Sequence, residues 1–506
     1  MKNIKAYIVS LLIVLGLTTG CEEEFDKINT NETLATSLDP SYSMNDAIIT
    51  ASFPTSIFIY ELAIVQQIIT PNGSSLAGAN FNQDNQTRSG IWQNHYRNVL
   101  KSTVDVLDKT QEDPEYFNLY QMARIWRAYT GMQLTDTFGD VPFSEAGLAF
   151  LEGNTLPVYD RQQDIYNEIL SELEEATAAL DASQPQVLEV LYGGDVAKWK
   201  SFGYSLMLRA AMRLSKVDPA LAQEYVTKAV AGGLIQSNEG NAMIRHTVLY
   251  TNPSGSWLNG SEANNYFLTA NFVDYLQENN DPRLASIAVR YVGAQSGSDQ
   301  TSASATVDPS VQVGMPVGYD NSTIEPIWKD AGLASFYDYS QMDRTRMGAQ
   351  TAPVFLLTHG QTQLLLAEAA FRGWTAGDPA EFFANGIRGH MEELAAYGDD
   401  TSVPEEEIAA YLQANPLQTG QELEQINTQY WVATFMNAPE TFANFRRSGF
   451  PDLAPNPYPG SEIDGDFIRR LTYPDAEDAV NSANVNEAVS RQGPDLLDTR
   501  IWWDVE

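Results

Sequence analysis

Four histidines, His95, His246, His359 and His390, are the residues where metal or proton-transfer chemistry would first be sought. None stands in an HExxH pattern and none has an evident partner, so each reads as a packing or surface residue. Gly73-Ser74-Ser75-Leu76-Ala77 begins like a nucleophile elbow but lacks the closing glycine and the strand–turn–helix setting. No glycine-rich phosphate loop runs into a helix with a lysine. Asp464-Gly465-Asp466 lacks the spaced acidic set of an EF-hand loop and reads as a turn. Among 66 acidic residues, carboxylate pairs suited to glycoside hydrolysis arise by chance, and none stands out. The chain therefore reads as a binder rather than an enzyme, with no cofactor and no metal expected.

The remaining reactive group is Cys21, the only cysteine in 506 residues, which leaves it no intramolecular disulfide partner. Lys2 and Lys5 precede a mostly apolar run from Ala6 to Leu17, and the small residues Thr18, Thr19 and Gly20 lead into Cys21. The run is shorter than the roughly 20 residues that span a bilayer, and its flanks are those of a secretory signal. Leu17-Thr18-Thr19-Gly20-Cys21 resembles a bacterial lipobox, which implies a diacylglyceryl group on the sulfur. Two or more acyl chains hold a protein stably, since each buried methylene contributes roughly 0.8 kcal/mol. We expect residues 1–20 to be the signal, 21–40 an acidic tether, and 41–506 a single domain.

Helical periodicity dominates that domain. In Asp164–Leu180 the residues Ile165, Ile169, Leu173 and Leu180 fall on one face, with Asp160 placed to cap the run. Phe117–Thr135, Lys198–Leu214, Ala220–Val230, Val354–Phe371 and Glu424–Phe435 follow the same pattern, and alternating strand patterns are few and short. An internal echo organises the helices. Leu206–Arg213 leads to Asp218-Pro219-Ala220 and a second helix, and Leu365–Arg372 leads to Asp378-Pro379-Ala380 and another. Asp as cap and Pro at the first helical position fix both turns. Ala222, Val226 and Ala229 allow paired helices to approach closely, as in tetratricopeptide repeats. The fold class is mainly α, with irregular tetratricopeptide-like hairpins supporting a loop-rich region.

Three stretches rich in Gly, Ser, Asn and Gln interrupt the helices: Asn72–Gly90, Asn252–Asn265 and Gly293–Ser322. Long loops in compact domains tend to carry function. The formal net charge is −36, from 30 basic and 66 acidic residues. Phosphate backbones need a basic stripe, so nucleic acid is excluded as a partner, and electrostatic adhesion to anionic lipid is disfavoured.

Several segments together resemble the SusD/RagB family. They are Ile28-Asn29-Thr30-Asn31, Leu134–Ala146 with its Gly139-Asp140-Val141-Pro142, Tyr192–Trp199, Leu206–Ser215, Asn280–Arg283, Leu364–Trp374, Phe435–Glu440, Phe445–Pro451, Arg469–Pro474 and Trp502-Trp503-Asp504. The order is kept from Cys21 to the end. The resemblance implies a surface-exposed lipoprotein of the outer membrane that sits on a SusC-like TonB-dependent barrel and captures oligosaccharides or peptides. It also implies an α-helical fold with tetratricopeptide-like hairpins, and Glu22-Glu23-Glu24 is similar to the signal that sends such lipoproteins to the outer face. The family motifs read as structural: Gly139 and Pro142 as a helix-ending turn, Arg446 and Arg447 as partners of nearby carboxylates or carbonyls.

The ligand site must then be argued from chemistry. Sugars offer C–H faces to aromatic rings and hydroxyls to amides and carboxylates. Trp257, among Gly, Ser and Asn, is the first candidate; Phe81 with Asn80 and Asn82, and the group Phe336, Tyr337 and Tyr339, come next. Two other classes would suit an anchored chain: a surface glycoside hydrolase, or the solute-binding lipoprotein of an ABC importer, whose two lobes alternate strands and helices.

Overall fold

The computed structural model describes residues 38–52, 55–72, 77–260 and 263–506, with the side-chain surroundings of 55–59 left out. The signal, Cys21, nearly all of the tether and Gly73–Leu76 lie outside the described residues. The principal helices are α1 (Pro40–Thr50), α2 (Thr55–Ile64), α3 (Asn85–Gln93), α4 (Lys101–Thr110), α5 (Phe117–Phe138), α6 (Gln162–Ala179), α7 (Val196–Arg213) and α8 (Pro219–Gly232). They continue with α9 (Pro253–Leu258), α10 (Ala270–Glu278), α11 (His359–Phe371), α12 (Pro379–Glu393), α13 (Glu405–Ala414), α14 (Glu422–Ala433), α15 (Ala438–Ser448) and α16 (Ser482–Gln492). The fold is mainly helical. Strands are two to four residues long: β1 (Ile68–Ile69), β2 (Ala242–Ile244), β3 (Phe267–Leu268), β4 (Ala288–Tyr291), β5 (Ala305–Thr306), β6 (Gln341–Met342) and β7 (Val354–Leu357). Such short, separate antiparallel pairings do not build the two lobes of an ABC solute-binding protein.

The echoed turns form as their residues dictate. The Asp218 carboxylate accepts the Leu221 N–H, the Asp378 carboxylate accepts the Ala380 N–H, and a proline follows each cap. Between α7 and α8 the contact is made by Ala222, Val226 and Ala229, all fully buried. Between α11 and α12 glycines replace them. A Cβ on Gly360 would stand 2.8 Å from the His390 nitrogen and 2.9 Å from the Gly386 carbonyl oxygen, so the two backbones meet without side chains between them. On α6, Ile165, Ile169 and Leu173 are fully buried, each contributing roughly 1.5–3 kcal/mol.

A buried polar network joins the two hairpins. Arg447 on α15 donates to both carboxylate oxygens of Glu368 on α11, at 2.7 Å each, and to Ser215 just beyond α7 at 3.0 Å. Arg213 at the end of α7 pairs with Glu440 at 2.6 Å and with Asp136 at 3.1 Å. The neighbouring Arg446 donates to the carbonyls of Asp136 and Arg469, each at 2.7 Å. Asp136 also accepts from the Trp503 indole at 2.8 Å and from Tyr166. Gly139, at φ +86°, ends α5. The segments that carry the resemblance thus converge on one junction: Leu134–Ala146, Leu206–Ser215, Leu364–Trp374, Phe445–Pro451 and the C-terminal Trp503. Arginine and carboxylate partners satisfy one another there, which is what burial of so many charges requires.

Four local expectations are corrected. Val354–Leu357 pairs with β2 as a strand, and the helix starts only at His359. The last six residues of Asn72–Gly90 are helical, because Asp84 caps the helix and Thr87, Arg88, Ile91 and Trp92 are buried along it. Gly293–Ser322 contributes β5 and pairs with β4. Asp160 does not cap α6; it accepts the N–H groups of Phe143 and Ser144 across the turn after Pro142.

Candidate ligand-binding site

Trp257 lies on α9, a helix of six residues rather than an open loop. The Asn252 side chain accepts the Ser254 and Gly255 N–H groups, Pro253 supplies the first helical residue, and Asn252 Nδ2 donates to the Ala352 carbonyl at 3.0 Å. A Cβ on Gly255 would collide with the Ala349 carbonyl, so the glycine permits α9 to lie directly on the 344–352 segment. Asn259 closes the other end: its Nδ2 donates to the Gly255, Arg344 and Gly348 carbonyls at 2.9, 3.0 and 2.8 Å. The indole is half-buried, tilted 48° over the Tyr266 ring with centroids 4.4 Å apart. The indole packs on Tyr266 and the main core, so the residue is held by apolar neighbours while remaining half-buried.

Tyr266 immediately precedes β3, which pairs with β1 through Ile68↔Leu268 and Ile69↔Phe267. Side chains alternate along an extended segment. Tyr266 accordingly joins the main core under Trp257, while Phe267 joins a second cluster with Ile69, Met315, Ile324 and Tyr339. Just before them, Asn264 Oδ1 accepts from Arg344 at 2.9 Å, and Asn265 Oδ1 accepts from Asn72 Nδ2 at 3.1 Å. Asn321 Nδ2 donates to Asn72 Oδ1 at 3.4 Å, and the Asn321 N–H to the Pro71 carbonyl at 2.7 Å. Each of the three Gly/Ser/Asn/Gln-rich stretches thus sends one asparagine, Asn72, Asn265 or Asn321, to a common string of amides at the start of the segment that carries Tyr266. The adjacent Asp320 is held well below the usual carboxylate range by hydrogen bonds from Ser322, then Tyr458 and Thr323, and stays an ionised acceptor.

The other candidates divide. Phe336 and Tyr337 are half-buried with centroids 4.2 Å apart, and Phe336 packs edge-on against Phe267 at 6.2 Å. They therefore lie across β3 from Trp257, on the second cluster. Tyr339 is buried in that cluster. Phe81 is only 2% exposed, with its ring edge-on to Phe467 at 5.4 Å, and Asn80 is buried beside it. Asn80, Phe81 and Tyr339 thus present no open face in this structure, because their loop folds onto the body and apolar rings bury where a core surface is offered. Asn82 is half-buried, its carbonyl accepting from the Tyr60 hydroxyl. Tyr266, Asn72, Asn265 and Asn321 were not singled out from the sequence. The signal that could have found them was the asparagines of all three irregular stretches taken together.

The histidines pack as expected: His95 lies between the Ile91 carbonyl and Gln133, His246 by Ser52, His359 by the Ile235 carbonyl, and His390 under Arg283. No group of three or more potential metal-ligating side chains occurs among the described residues, and no helix among them is long and apolar enough to cross a membrane. A separate cleft of about 980 Å³ lies between the end of α10, the 308–310 turn and α13, with Glu278, Asp308 and Glu407 on its walls. A half-buried indole can stack on a hydroxylated ring, and asparagine amides can hydrogen-bond its hydroxyls.

Comparison with known proteins points the same way. The family model described as "Starch-binding associating with outer membrane", SusD-like, matches residues 34–474. A solved chitin-binding protein is 31% identical, with a TM-score of 0.83 over 92% of this chain and 100% of its own. A structure titled Bacteroidetes AC2a SusD-like is 28% identical, with a TM-score of 0.82 over 93% of this chain and 100% of its own. A chitin-binding SusD homolog from Flavobacterium johnsoniae, 24% identical with a TM-score of 0.76 over 92% of this chain and 99% of its own, shares the fold. No protein of curated function matches the sequence. A match across most of the chain, together with the helical hairpins and the junction described above, places this protein in the SusD-like family.

Proposed function

We propose that this protein is a non-catalytic, surface-exposed lipoprotein that captures oligosaccharides and passes them to a SusC-like TonB-dependent transporter. The observation that carries the reading is the half-buried Trp257 packed on Tyr266, the residue that follows Asn265 of the Asn72–Asn265–Asn321 string. A sugar ring can stack on Trp257, and amides, which both donate and accept, suit the hydroxyls of neutral ligands on an acidic protein. Chitin binding by the 31%-identical relative favours β-linked N-acetylglucosamine oligomers as the first ligand class to test. Lipidation at Cys21 supplies the anchor, and Glu22-Glu23-Glu24 supplies the surface address. Clamping of α9 by Asn252 and Asn259 makes Trp257 a pre-positioned anchor, which lowers the ordering cost of binding.

Calorimetric titration of the purified chain with chito- and malto-oligosaccharides tests this, with chromatography of the same mixtures. Saturable binding without new products is the expected result. Product release at enzyme-like rates would favour a hydrolase, and binding confined to peptides would move the substrate class.

A further inference from the structure

Tyr266, the ring on which Trp257 packs, also lines a crevice of about 10 Å³ between the end of α9, the start of β3 and β6. Leu258, which follows Trp257 in the chain, and Ile68 and Met342 give the crevice apolar walls, and all three are buried. Ala263 and Arg344 line it as well and are only half-buried, so the mouth is on their side. Gln341 on β6, 2% exposed, is the polar side chain of the interior. Among the described residues its Nε2 has no hydrogen-bond acceptor. Its neighbours are paired: the Ser340 hydroxyl donates to Gln312 at 2.7 Å, and Arg344 donates to Asn264 Oδ1 at 2.9 Å. Buried donors are ordinarily satisfied, because an unmade hydrogen bond in apolar surroundings is costly.

The lining selects what can enter. A space of that size holds one water-sized group, so the tip of a substituent fits and a sugar ring does not. A hydroxyl would accept from Gln341 Nε2, but its own proton would be left among apolar walls. A carboxylate would carry charge into an apolar crevice on a chain of net charge −36, while Arg344 already donates to Asn264 and to the Gln300 carbonyl. An acetyl carbonyl accepts and donates nothing, and the methyl beside it adds apolar contact with Leu258 and Met342. The acetamido group of an N-acetylhexosamine offers that combination. The indole of Trp257 and the crevice share Tyr266 as a common wall, with ring centroids 4.4 Å apart, so stacking and substituent recognition belong to one place.

We propose that this crevice is a specificity subsite that reads an acetamido group, with Gln341 Nε2 donating to its carbonyl while a ring of the same ligand stacks on Trp257. The inference rests on the oligosaccharide-capture reading and narrows its ligands to 2-acetamido sugars, chosen by substituent rather than by linkage. It is tested by calorimetric titration of the purified chain with N-acetyl-chito-oligosaccharides and with cello-oligosaccharides of equal length. The two series share a β-1,4 backbone and differ in the group at C2. The wild type should bind the N-acetyl series at least tenfold more tightly. Gln341→Leu keeps the volume and removes the donor; it should weaken the N-acetyl series at least tenfold and shift the cello series by no more than twofold. Ala263→Leu, at the half-buried mouth, plugs the crevice without entering the core and should give the same loss, so the test stands even if Gln341→Leu fails to fold. Equal affinity of the wild type for both series overturns the proposal, and so does N-acetyl binding unchanged in the folded variants, which would leave the crevice to solvent. Either of those results removes the subsite and leaves saccharide capture standing. Failure of the wild type to bind any saccharide removes both.

Discussion

The hairpin junction and the Trp257 face use the same kinds of side chain in opposite ways. At the junction, Trp503 is fully buried with its indole on Asp136, and Arg447 saturates both oxygens of Glu368. On the face, Trp257 is only half-buried, and the amides of Asn72, Asn265 and Asn321 sit at or near the surface. Buried charges that complete one another have nothing left for a ligand. Amides and a ring at or near the surface can still meet one. The residues that carry the family resemblance therefore hold the fold, and the residues proposed to meet ligand lie where the resemblance is thin.

The contrast breaks most visibly if the junction is cut. Arg447→Ala leaves the buried Glu368 with Arg372 as its one charged partner beside the Asn427 amide and should cost about 3–5 kcal/mol in denaturant unfolding. Trp199→Ala, a core truncation, should cost a similar ~3–5 kcal/mol, and Trp257→Ala distinctly less, since only part of its ring is buried. Equal losses of melting temperature for the two tryptophans would make Trp257 a core residue and erase the distinction. Gly360→Ala drives a methyl into the α12 backbone and should cost about 1–3 kcal/mol, with no effect on ligand affinity.

Glu61 sharpens the comparison from inside. It is buried on α2, and burial raises its carboxyl to about 8, with Arg446 opposing the shift. The folded state thus holds a proton that the unfolded chain releases near pH 4.5, so this group makes stability fall as pH rises from about 4.5 to 8. Glu61→Gln should flatten part of that slope and stabilise the chain at pH 8 by on the order of 1–3 kcal/mol; Glu393, raised to about 8 by burial, keeps the remainder. Glu368 acts in the other sense. Arg447, then Arg372, hold it at about 2 against the opposing effect of burial, so its contribution is present above about pH 4.5 and lost as pH falls toward 2.

Much of the fold could be read from periodicity and caps, because α6, α7, α8 and the Asp-Pro turns obey local rules that tertiary contacts only reinforce. Val354–Leu357 misled because four apolar residues before a helix suit a strand equally well, and pairing with Ala242–Ile244 decides. Asn85–Gln93 misled in the other direction, since its helix rests on one cap and on burial of Ile91 and Trp92. At the site, Trp257 could be chosen by its neighbours in sequence, but Tyr266 could not, because its role comes from a two-residue strand fixed by a partner some 200 positions earlier. Phe81 looked like Trp257 in composition; only Phe467, far along the chain, shows that it turns inward.

The most direct test is a paired calorimetric titration of wild type and Trp257→Ala with N-acetyl-chito-oligosaccharides and malto-oligosaccharides. The account predicts saturable binding by the wild type and a loss of roughly 1–3 kcal/mol in the variant, by analogy with base–aromatic stacking, about 5- to 150-fold in Kd. Identical affinity in both proteins would contradict it and move the site to the Phe336–Tyr337 pair.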